Sequence, residues 1–214
     1  MSAPVDVPRT PRDPEKTRER ILDAAQALIL DHGFAATTVD AVVARAGTTK
    51  GAFFHHFASK SALGRTVMER FAAKDRAHFD EMCVRAERLA SDPLQRLLTL
   101  LALYEEVFET QGDPISGCLF ASYIYEKTLL EPETLDVLQG VVLAWRAALR
   151  ERIDAVVEKY PPRMPVDLDT LADMFYSVTE GAYVMTKTMN DRTLLARQTR
   201  VLRTFLQLLF DPPR

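Results

Sequence analysis

Two adjacent histidines and two cysteines are the most reactive side chains of this sequence. Neighbouring residues of a helix point about 100° apart, so His55 and His56 cannot hold one metal ion together. Cys118 opens a predicted short helix, and a helix N-terminus lowers the pKa of a thiol. Cys118 is therefore a candidate reactive thiol, and the alternative is the common fate of a free cysteine as a small buried residue. Cys83 lies in the middle of a predicted helix, where the second interpretation is favoured.

The sequence contains no pattern typical of an enzyme. There is no Ser/His/Asp arrangement, no glycine-rich phosphate loop and no metal-ligand spacing. Two cysteines cannot by themselves form a four-ligand zinc site. All four histidines lie within the first 78 residues, so we expect the C-terminal part to lack the commonest acid–base side chain. These observations predict a protein that is not an enzyme and that binds no metal and no cofactor.

The composition is that of an ordinary globular protein. The chain has 214 residues, of which 47% are hydrophobic and 27% are charged, which is enough for one large domain or two small ones. No apolar run approaches the length of a membrane span, and no secretory signal opens the chain, so we expect a cytoplasmic protein. The net charge of −3 gives no general attraction to nucleic acid, and any DNA contact has to be made by a few local side chains.

The N-terminal sixty residues predict three helices behind a flexible arm over residues 1–12. Asp13 and Pro14 form a helix start, with a carboxylate as N-cap and proline in the first helical position. Gly33 is placed to end this helix with a left-handed C-cap. Thr37 and Asp40 have the spacing of a capping box for a second helix.

A third helix follows the second after a very short connection. The second helix is expected to end at Gly47, and Thr48-Thr49-Lys50-Gly51 begins the third. Two short helices joined by a tight turn that contains glycine indicate a helix-turn-helix. We assign residues 13–60 to this domain.

The rest of the chain predicts six further helices and no strand. Ser59 caps the fourth, which runs to about residue 90. The others run from Pro93 to a break at Gln111, over 117–128, from Pro132 to the proline-rich loop at Tyr160, and over 167–189 and 192–210. About nine helices in all predict an all-α fold.

Residues 14–66 resemble the DNA-binding domain of TetR/AcrR-type transcriptional regulators. The resemblance rests on spaced residues that agree in order: Arg20-Ile21-Leu22-Asp23-Ala24-Ala25, Gly33-Phe34, Thr37-Thr38-Val39, Ala46-Gly47, Thr49-Lys50-Gly51, Phe54-x-His56-Phe57 and Lys60-x-x-Leu63. It covers about a quarter of the chain, and the length and the helix count also agree with that family. It implies a homodimeric repressor that binds a palindromic operator and is released by a small-molecule effector. The alternatives are an activator of the same fold and an electrophile or redox sensor acting through Cys118, as in some members of the family.

The resemblance also implies which residues meet DNA. Thr38 and Lys60 are expected to contact phosphates, and Thr49-Lys50-Gly51 open the recognition helix. Two departures from the family pattern are Phe54, where tyrosine is usual, and His55, where an aromatic residue is frequent. The full expected DNA-binding set is Thr38, Thr48, Thr49, Lys50, Gly51, Phe54, His55, His56 and Lys60.

Residues 61–214 are implied to form the effector-binding and dimerisation domain. Its aromatic and sulfur-containing side chains are of the types that line cavities in helical bundles, although they also fill cores. The candidate pocket residues are Met82, Tyr104, Phe108, Cys118, Tyr123, Trp145, Phe175 and Tyr183, with Ser122, Glu126 and Glu180 as polar candidates. We expect a largely apolar effector.

The last two helices have wide apolar faces. Such faces suit either core packing or a four-helix dimer interface made from two copies of each helix. Arg197, Arg200 and Arg203 would flank that interface or lie on a solvated face.

Overall fold

The computed structural model describes residues 13–110 and 118–210, and within these ranges the chain forms nine α-helices and no strand. The all-α prediction is confirmed. The helices are α1 Pro14–Ala36, α2 Val39–Arg45, α3 Lys50–His56, α4 Lys60–Leu89, α5 Pro93–Thr110, α6 Leu119–Ile124, α7 Pro132–Lys159, α8 Leu168–Met189 and α9 Leu194–Phe210. The expected flexible arm over 1–12 and the break at Gln111 lie outside the described residues.

The chain divides into two compact units between Val67 and Met68, both of which are residues of α4. The first unit contains α1, α2, α3 and the first turns of α4. The second contains the remainder of α4 and all later helices. No described helix is long and apolar enough to cross a membrane.

The start of α1 follows the sequence prediction, and its end does not. Asp13 is the N-cap, and its carboxylate accepts hydrogen bonds from the backbone N–H groups of Glu15 and Lys16 at 3.1 and 3.4 Å. Gly33 has φ +84° and ψ 166°, so its ψ is extended and the predicted left-handed α C-cap is wrong. The non-helical backbone of Gly33 instead kinks the helix, and beyond the kink the Thr37 hydroxyl donates to the Gly33 carbonyl at 2.8 Å.

The N-cap of α2 is Thr38, one residue later than predicted. The Thr38 hydroxyl accepts a hydrogen bond from the Ala41 N–H at 3.1 Å, whereas the Thr37 side chain is buried and engaged with Gly33. The predicted capping box of Thr37 and Asp40 is therefore wrong. The capping-box spacing favours Thr37, because Asp40 follows three residues later, but the Thr37 hydroxyl is bound to the Gly33 carbonyl and Thr38 caps the helix instead.

The turn between α2 and α3 is fixed by a Schellman arrangement. The Thr48 N–H donates to the Val43 carbonyl and the Gly47 N–H to the Ala44 carbonyl. Gly47 has φ +59°, a conformation that glycine adopts without steric cost. Thr49 then caps α3 through the Ala52 N–H.

The core of the second unit lies between α5, α7, α8, α9 and the adjoining part of α4. Leu97, Leu101, Ile153, Leu171 and Leu206 are among its buried side chains. The sixth helix is shorter than predicted, because helical bonding ends at Ile124 and a 3-10 turn follows over Lys127–Leu129.

Candidate DNA interface and ligand cavity

The predicted DNA-binding residues all lie at or near the surface of the first unit. Six are exposed and three are half-buried, and none belongs to the core. The exposed ones are Thr38, Thr49, Lys50, Gly51, Phe54 and His55, and the half-buried ones are Thr48, His56 and Lys60.

Helix α3 is buried on one face and exposed on the other, which explains this outward face. Phe53 and Phe57 are buried and attach the helix to its unit. Between them Phe54 is 55% exposed, although its ring contacts Phe53 edge-on at a centroid distance of 5.1 Å. A Cβ at Gly51 would meet only the Thr49 hydroxyl, at 3.9 Å. The outer face of α3 therefore presents a large aromatic ring beside open backbone.

The two predicted lysines already have partners within the first unit. The Lys50 ammonium lies 2.8 Å from the Asp40 carboxylate, and both side chains are exposed. The Lys60 ammonium donates to the Ala35 carbonyl at 2.9 Å and lies 4.5 Å from the centre of the Phe34 ring. Lys60 thus connects the start of α4 to the end of α1, a contact that sequence reasoning missed.

The rings of His55 and His56 lie edge to face, with centroids 5.1 Å apart. Across the described ranges, no group of three or more His, Cys, Asp and Glu side chains is arranged to hold a metal ion.

The second unit contains a cavity of about 420 Å³. It brings together six of the eight predicted pocket residues: Tyr104, Phe108, Cys118, Trp145, Phe175 and Tyr183. Met82 and Tyr123 are buried but do not line it. Of the polar candidates, Glu180 lines the cavity and Ser122 and Glu126 do not. The remaining lining residues are Phe71, Asp75, His78, Val107, Phe120, Tyr176 and Thr179.

Three lining residues come from α4, and sequence reasoning missed their role. Phe71, Asp75 and His78 are spaced i, i+4, i+7, which places them on one face of the helix. The expectation that the C-terminal part lacks a histidine is wrong, because α4 continues past the domain boundary and carries His78 into the cavity wall. That spacing groups the three residues, but packing between helices decides that this face of α4 meets the cavity.

Aromatic rings form most of the cavity wall. Trp145 stacks on Phe175 with an interplanar angle of 15° and a centroid distance of 5.3 Å. Tyr104 meets Phe175 edge-on at 5.0 Å. Phe71 and Phe120 make a second edge-on pair at 4.9 Å.

Two carboxyl groups interrupt this apolar wall. The indole N–H of Trp145 donates to Oδ2 of Asp75 at 2.7 Å. Burial raises the pKa of Asp75, and the Trp145 hydrogen bond and the nearby His78 lower it by less. Burial also raises the pKa of Glu180; a Cys118 hydrogen bond opposes this rise and the charge of Asp75 adds to it. Oε2 of Glu180 and the hydroxyl of Tyr104 are buried without a hydrogen-bond partner among the described residues.

Cys118 is the N-cap of α6, but its thiol has the opposite of the expected property. Burial raises its pKa well above the usual value, and the charge of Glu180 and a hydrogen bond with it raise the pKa further. Backbone N–H groups of α6 lower the pKa by less. The expected lowering of the Cys118 pKa is therefore wrong, because the helix terminus is outweighed by burial and by a neighbouring carboxyl group.

The outer faces of α8 and α9 carry exposed apolar side chains. On α8 these are Val184, Met185 and Met189, and on α9 they are Val201 and Leu208.

The arginines of α9 all have intramolecular carboxylate partners. Arg200 and Arg203 bind Glu105 of α5, and Arg197 lies 3.7 Å from Asp191. The side chains of Arg200 and Arg203 are still 51% and 32% exposed, so the interface flank and the solvated face both stay predictions.

The fold and the outward face of α3 define a helix-turn-helix DNA-binding regulator with a separate ligand-sized cavity. Residues 21–67 match the family described as bacterial regulatory proteins, tetR family, and residues 93–202 match the tetracyclin repressor-like C-terminal domain. The second match alone covers half of the chain. The chain belongs to the TetR family, and the resemblance found in its sequence is confirmed.

Individual relatives agree with this assignment. The chain is 24% identical over 194 residues to the HTH-type transcriptional repressor DhaR of Mycobacterium sp. (strain GP1), covering 91% of this chain and 90% of that protein. It is 31% identical over 105 residues to the HTH-type transcriptional repressor NemR of Escherichia coli K12, a match that spans 50% of that protein and 48% of this chain. These relatives are transcriptional regulators, a class distinct from enzymes.

A solved structure of a TetR-family regulator from Agrobacterium tumefaciens has the same fold. It superposes with a TM-score of 0.76 at 18% identity, covering 90% of this chain and 98% of that one.

Proposed function

We propose that this protein is a ligand-responsive transcriptional repressor that binds a palindromic operator as a homodimer and is released by a small effector. The observation that carries the proposal is the presence, in one chain, of an exposed recognition face and a separate ligand-sized cavity. Two relatives of the chain are named transcriptional repressors. A role on bacterial DNA requires a cytoplasmic protein, and the cavity is proposed to bind its ligand without transforming it.

The proposed DNA contacts are the nine residues predicted from the sequence. Lys50 and Lys60 supply positive charge for phosphates, which fix register and orientation. Thr48, Thr49 and Gly51 lie where a base edge or the DNA backbone can approach, and His55 and His56 lie at the end of the same helix. Phe54 offers an apolar surface there, and it cannot donate the hydroxyl hydrogen bond of a tyrosine.

The proposed dimer forms through the last two helices. Val201 is 64% exposed and Leu208 60% exposed on α9, and burial of such side chains in an isologous interface is favourable. Two recognition helices related by this symmetry would read half-sites about 34–36 Å apart.

Release by an effector requires a difference in affinity. An effector shifts the equilibrium only if it binds the DNA-incompetent arrangement more tightly than the DNA-bound one. Helix α4 is the element available for coupling, because its first residue, Lys60, is a proposed phosphate contact and Phe71, Asp75 and His78 line the cavity.

The experiment is selection of bound fragments from random and genomic DNA with the purified full chain at stated salt. We expect a palindromic motif, and reporter expression from a promoter carrying it should fall when the protein is present. Failure of the folded, dimeric protein to enrich any motif would overturn the proposal, and a rise in expression would make the protein an activator.

The dimer is tested separately by sedimentation. We expect Val201→Glu to give a monomer of about half the wild-type mass. Leu143→Glu replaces an exposed apolar residue of α7 and should leave the dimer intact. Dissociation by both substitutions, or by neither, would overturn the proposed interface.

A further inference from the structure

Acidic side chains outnumber basic ones in the described cavity lining, which indicates the class of effector that the cavity can bind. This inference rests on the proposed function, because it concerns the same cavity. Among the described lining residues, Asp75 and Glu180 are acidic, His78 is the one weakly basic side chain, and there is no lysine or arginine.

Neither carboxyl group has a lysine or arginine partner in the described lining. Asp75 accepts from Trp145 and lies near His78, and Glu180 has a hydrogen bond with Cys118. A buried carboxylate is costly unless it is paired, and Oε2 of Glu180 is buried without a hydrogen-bond partner in the described structure. Each carboxyl is also close enough to the other for Asp75 to disfavour ionisation of Glu180. A positive charge placed beside the two carboxylates would offset both the cost of burying them and the repulsion between them.

The rest of the wall is suited to a cation with an apolar body. Cations are attracted to the faces of aromatic rings, most strongly to tryptophan, and the cavity is lined by Trp145, Phe175, Tyr104 and Phe108. Its volume of about 420 Å³ lies in the range of small-molecule sites.

We propose that the cavity selects small organic monocations, with the ammonium group at Glu180 and Asp75 and the apolar body among the aromatic rings around Trp145. An anionic ligand would face two carboxyl groups with no lysine or arginine in the described lining. A neutral ligand of the same shape would fill the apolar space but would place no positive charge beside the two acids.

The test uses three probes that share one skeleton: 4-phenylbutylamine, 4-phenylbutan-1-ol and 4-phenylbutyrate. Trp145 is the only tryptophan of the chain and lines the cavity, so its fluorescence reports binding to the full-length protein. We expect the amine to bind about tenfold or more tighter than the alcohol, as a charge-assisted contact implies, and the carboxylate to bind most weakly.

Variants then test the carboxyl groups. Glu180→Gln should remove the preference for the amine while leaving alcohol binding nearly unchanged, and Asp75→Asn should weaken amine binding as a second, independent variant. Glu158→Gln, at an exposed glutamate of α7 outside the lining, should behave as wild type. Circular dichroism checks that each variant is folded.

The proposal is overturned if the alcohol or the carboxylate binds wild type as tightly as the amine, if none of the three binds, or if Glu180→Gln keeps the preference. Release of a selected DNA fragment is measured in parallel. If the alcohol binds tightly and releases DNA, the proposed selectivity for cations is wrong, but the cavity is still an effector site. If the amine binds selectively but does not release DNA, the selectivity for cations is supported and the effector role of the cavity is contradicted.

Discussion

Phe34 fills the space in which a side chain at position 64 would lie. A Cβ at Gly64 would be 2.5 Å from Cε2 of the Phe34 ring, well inside contact distance, and that ring is buried. Lys60, one turn earlier on α4, lies over the same ring. The end of α1 and the start of α4 are thus held together by a ring that requires a glycine beside it.

We expect Gly64→Ala to destabilise the protein. Overpacking of a filled site costs about 1–3 kcal/mol, which exceeds the gain of about 1 kcal/mol that alanine brings to a helix interior. Denaturant unfolding at fixed protein concentration measures the change.

The matched control is Gly140→Ala. Gly140 also lies inside a helix, but a Cβ there would meet nothing within 4 Å. The gain in helix propensity should therefore be the main effect of the substitution, and the variant should be more stable than wild type. Equal effects of the two substitutions would contradict the role assigned to Phe34.

Local signals predicted most of the fold, and long-range packing accounts for what they missed. The caps at Asp13 and Ser59 depend on bonds to residues two or three positions away, and sequence spacing reveals them. The choice between Thr37 and Thr38 depends on the kink at Gly33, which no cap pattern encodes.

For the cavity, too, some lining residues could be chosen from the sequence, and others depend on packing between helices that are distant in sequence. Residue type selected Trp145 and Phe175 correctly, but it also selected Met82 and Tyr123, which are buried outside the cavity, because such side chains fill both cores and cavity walls. The contribution of Asp75 depends on which face of α4 turns toward that wall, and this is set by packing between helices distant in sequence. The bonds from Arg200 and Arg203 to Glu105 span 95 and 98 residues and have no local signature.

The charge of Lys50 should be measurable in the salt dependence of operator binding. Each phosphate contact contributes about 0.9 to the slope of log affinity against log salt concentration, so Lys50→Ala should reduce the slope by about that amount. Because Asp40 pairs with Lys50 at 2.8 Å, Asp40→Asn should tighten binding. Binding is followed by fluorescence anisotropy over a range of salt concentrations.

Lys127→Ala removes one exposed positive charge from the second unit and is the control, with an expected slope equal to wild type. Lys60→Ala should reduce the slope by about 1 and weaken binding to all sequences alike. It should also lower stability, because its bond to Ala35 is lost. An unchanged slope would remove the lysine concerned from the phosphate contacts.

Glu105 is expected to matter more for stability than its exposed neighbour Glu109. Glu105 is 6% exposed and accepts from Nε of Arg200 at 3.1 Å and from Nε of Arg203 at 2.5 Å. Glu105→Gln removes a buried charge from two arginines, and the loss of such charge-assisted bonds costs about 1.5–3 kcal/mol. The free energy of unfolding in urea, at one protein concentration, gives the value.

Glu109→Gln provides the comparison, because Glu109 binds Arg200 at 2.8 Å from an exposed position. Exposed ion pairs contribute about 0–1 kcal/mol. A loss at Glu109 as large as that at Glu105 would show that burial does not set the strength of this cluster.

Asp92 should make stability depend on pH in the acid range. Burial acts to raise its pKa, but hydrogen bonds from Lys159, Tyr160 and the Gln95 backbone N–H outweigh it and hold the pKa at about 2. The unfolded chain, with a pKa of about 3.9, takes up this proton first as pH falls. The stabilisation is therefore complete above about pH 4 and is lost progressively toward about pH 2.

The variant Asp92→Asn isolates this charge, because asparagine still caps α5. We expect the stability difference between wild type and Asp92→Asn to shrink as pH falls through this window in urea-unfolding curves. Tyr160→Phe removes one hydrogen bond to Asp92 and should reduce the pH-dependent part. A difference that stays constant across the window would contradict the lowered pKa of Asp92.

Cys118 should react slowly with alkylating reagents in the folded protein. Burial and Glu180 raise the pKa of its thiol, so the thiolate, which is the reactive form, is a small fraction at neutral pH. We expect iodoacetamide labelling of Cys118, followed by mass spectrometry, to be far slower in the folded than in the urea-unfolded chain and to rise with pH beyond the usual thiol range. Glu180→Gln should speed labelling, because it removes the negative charge that opposes thiolate formation, whereas Glu158→Gln should not. Fast labelling of the folded wild type at neutral pH would contradict this account and would restore the interpretation of Cys118 as an electrophile or oxidant sensor.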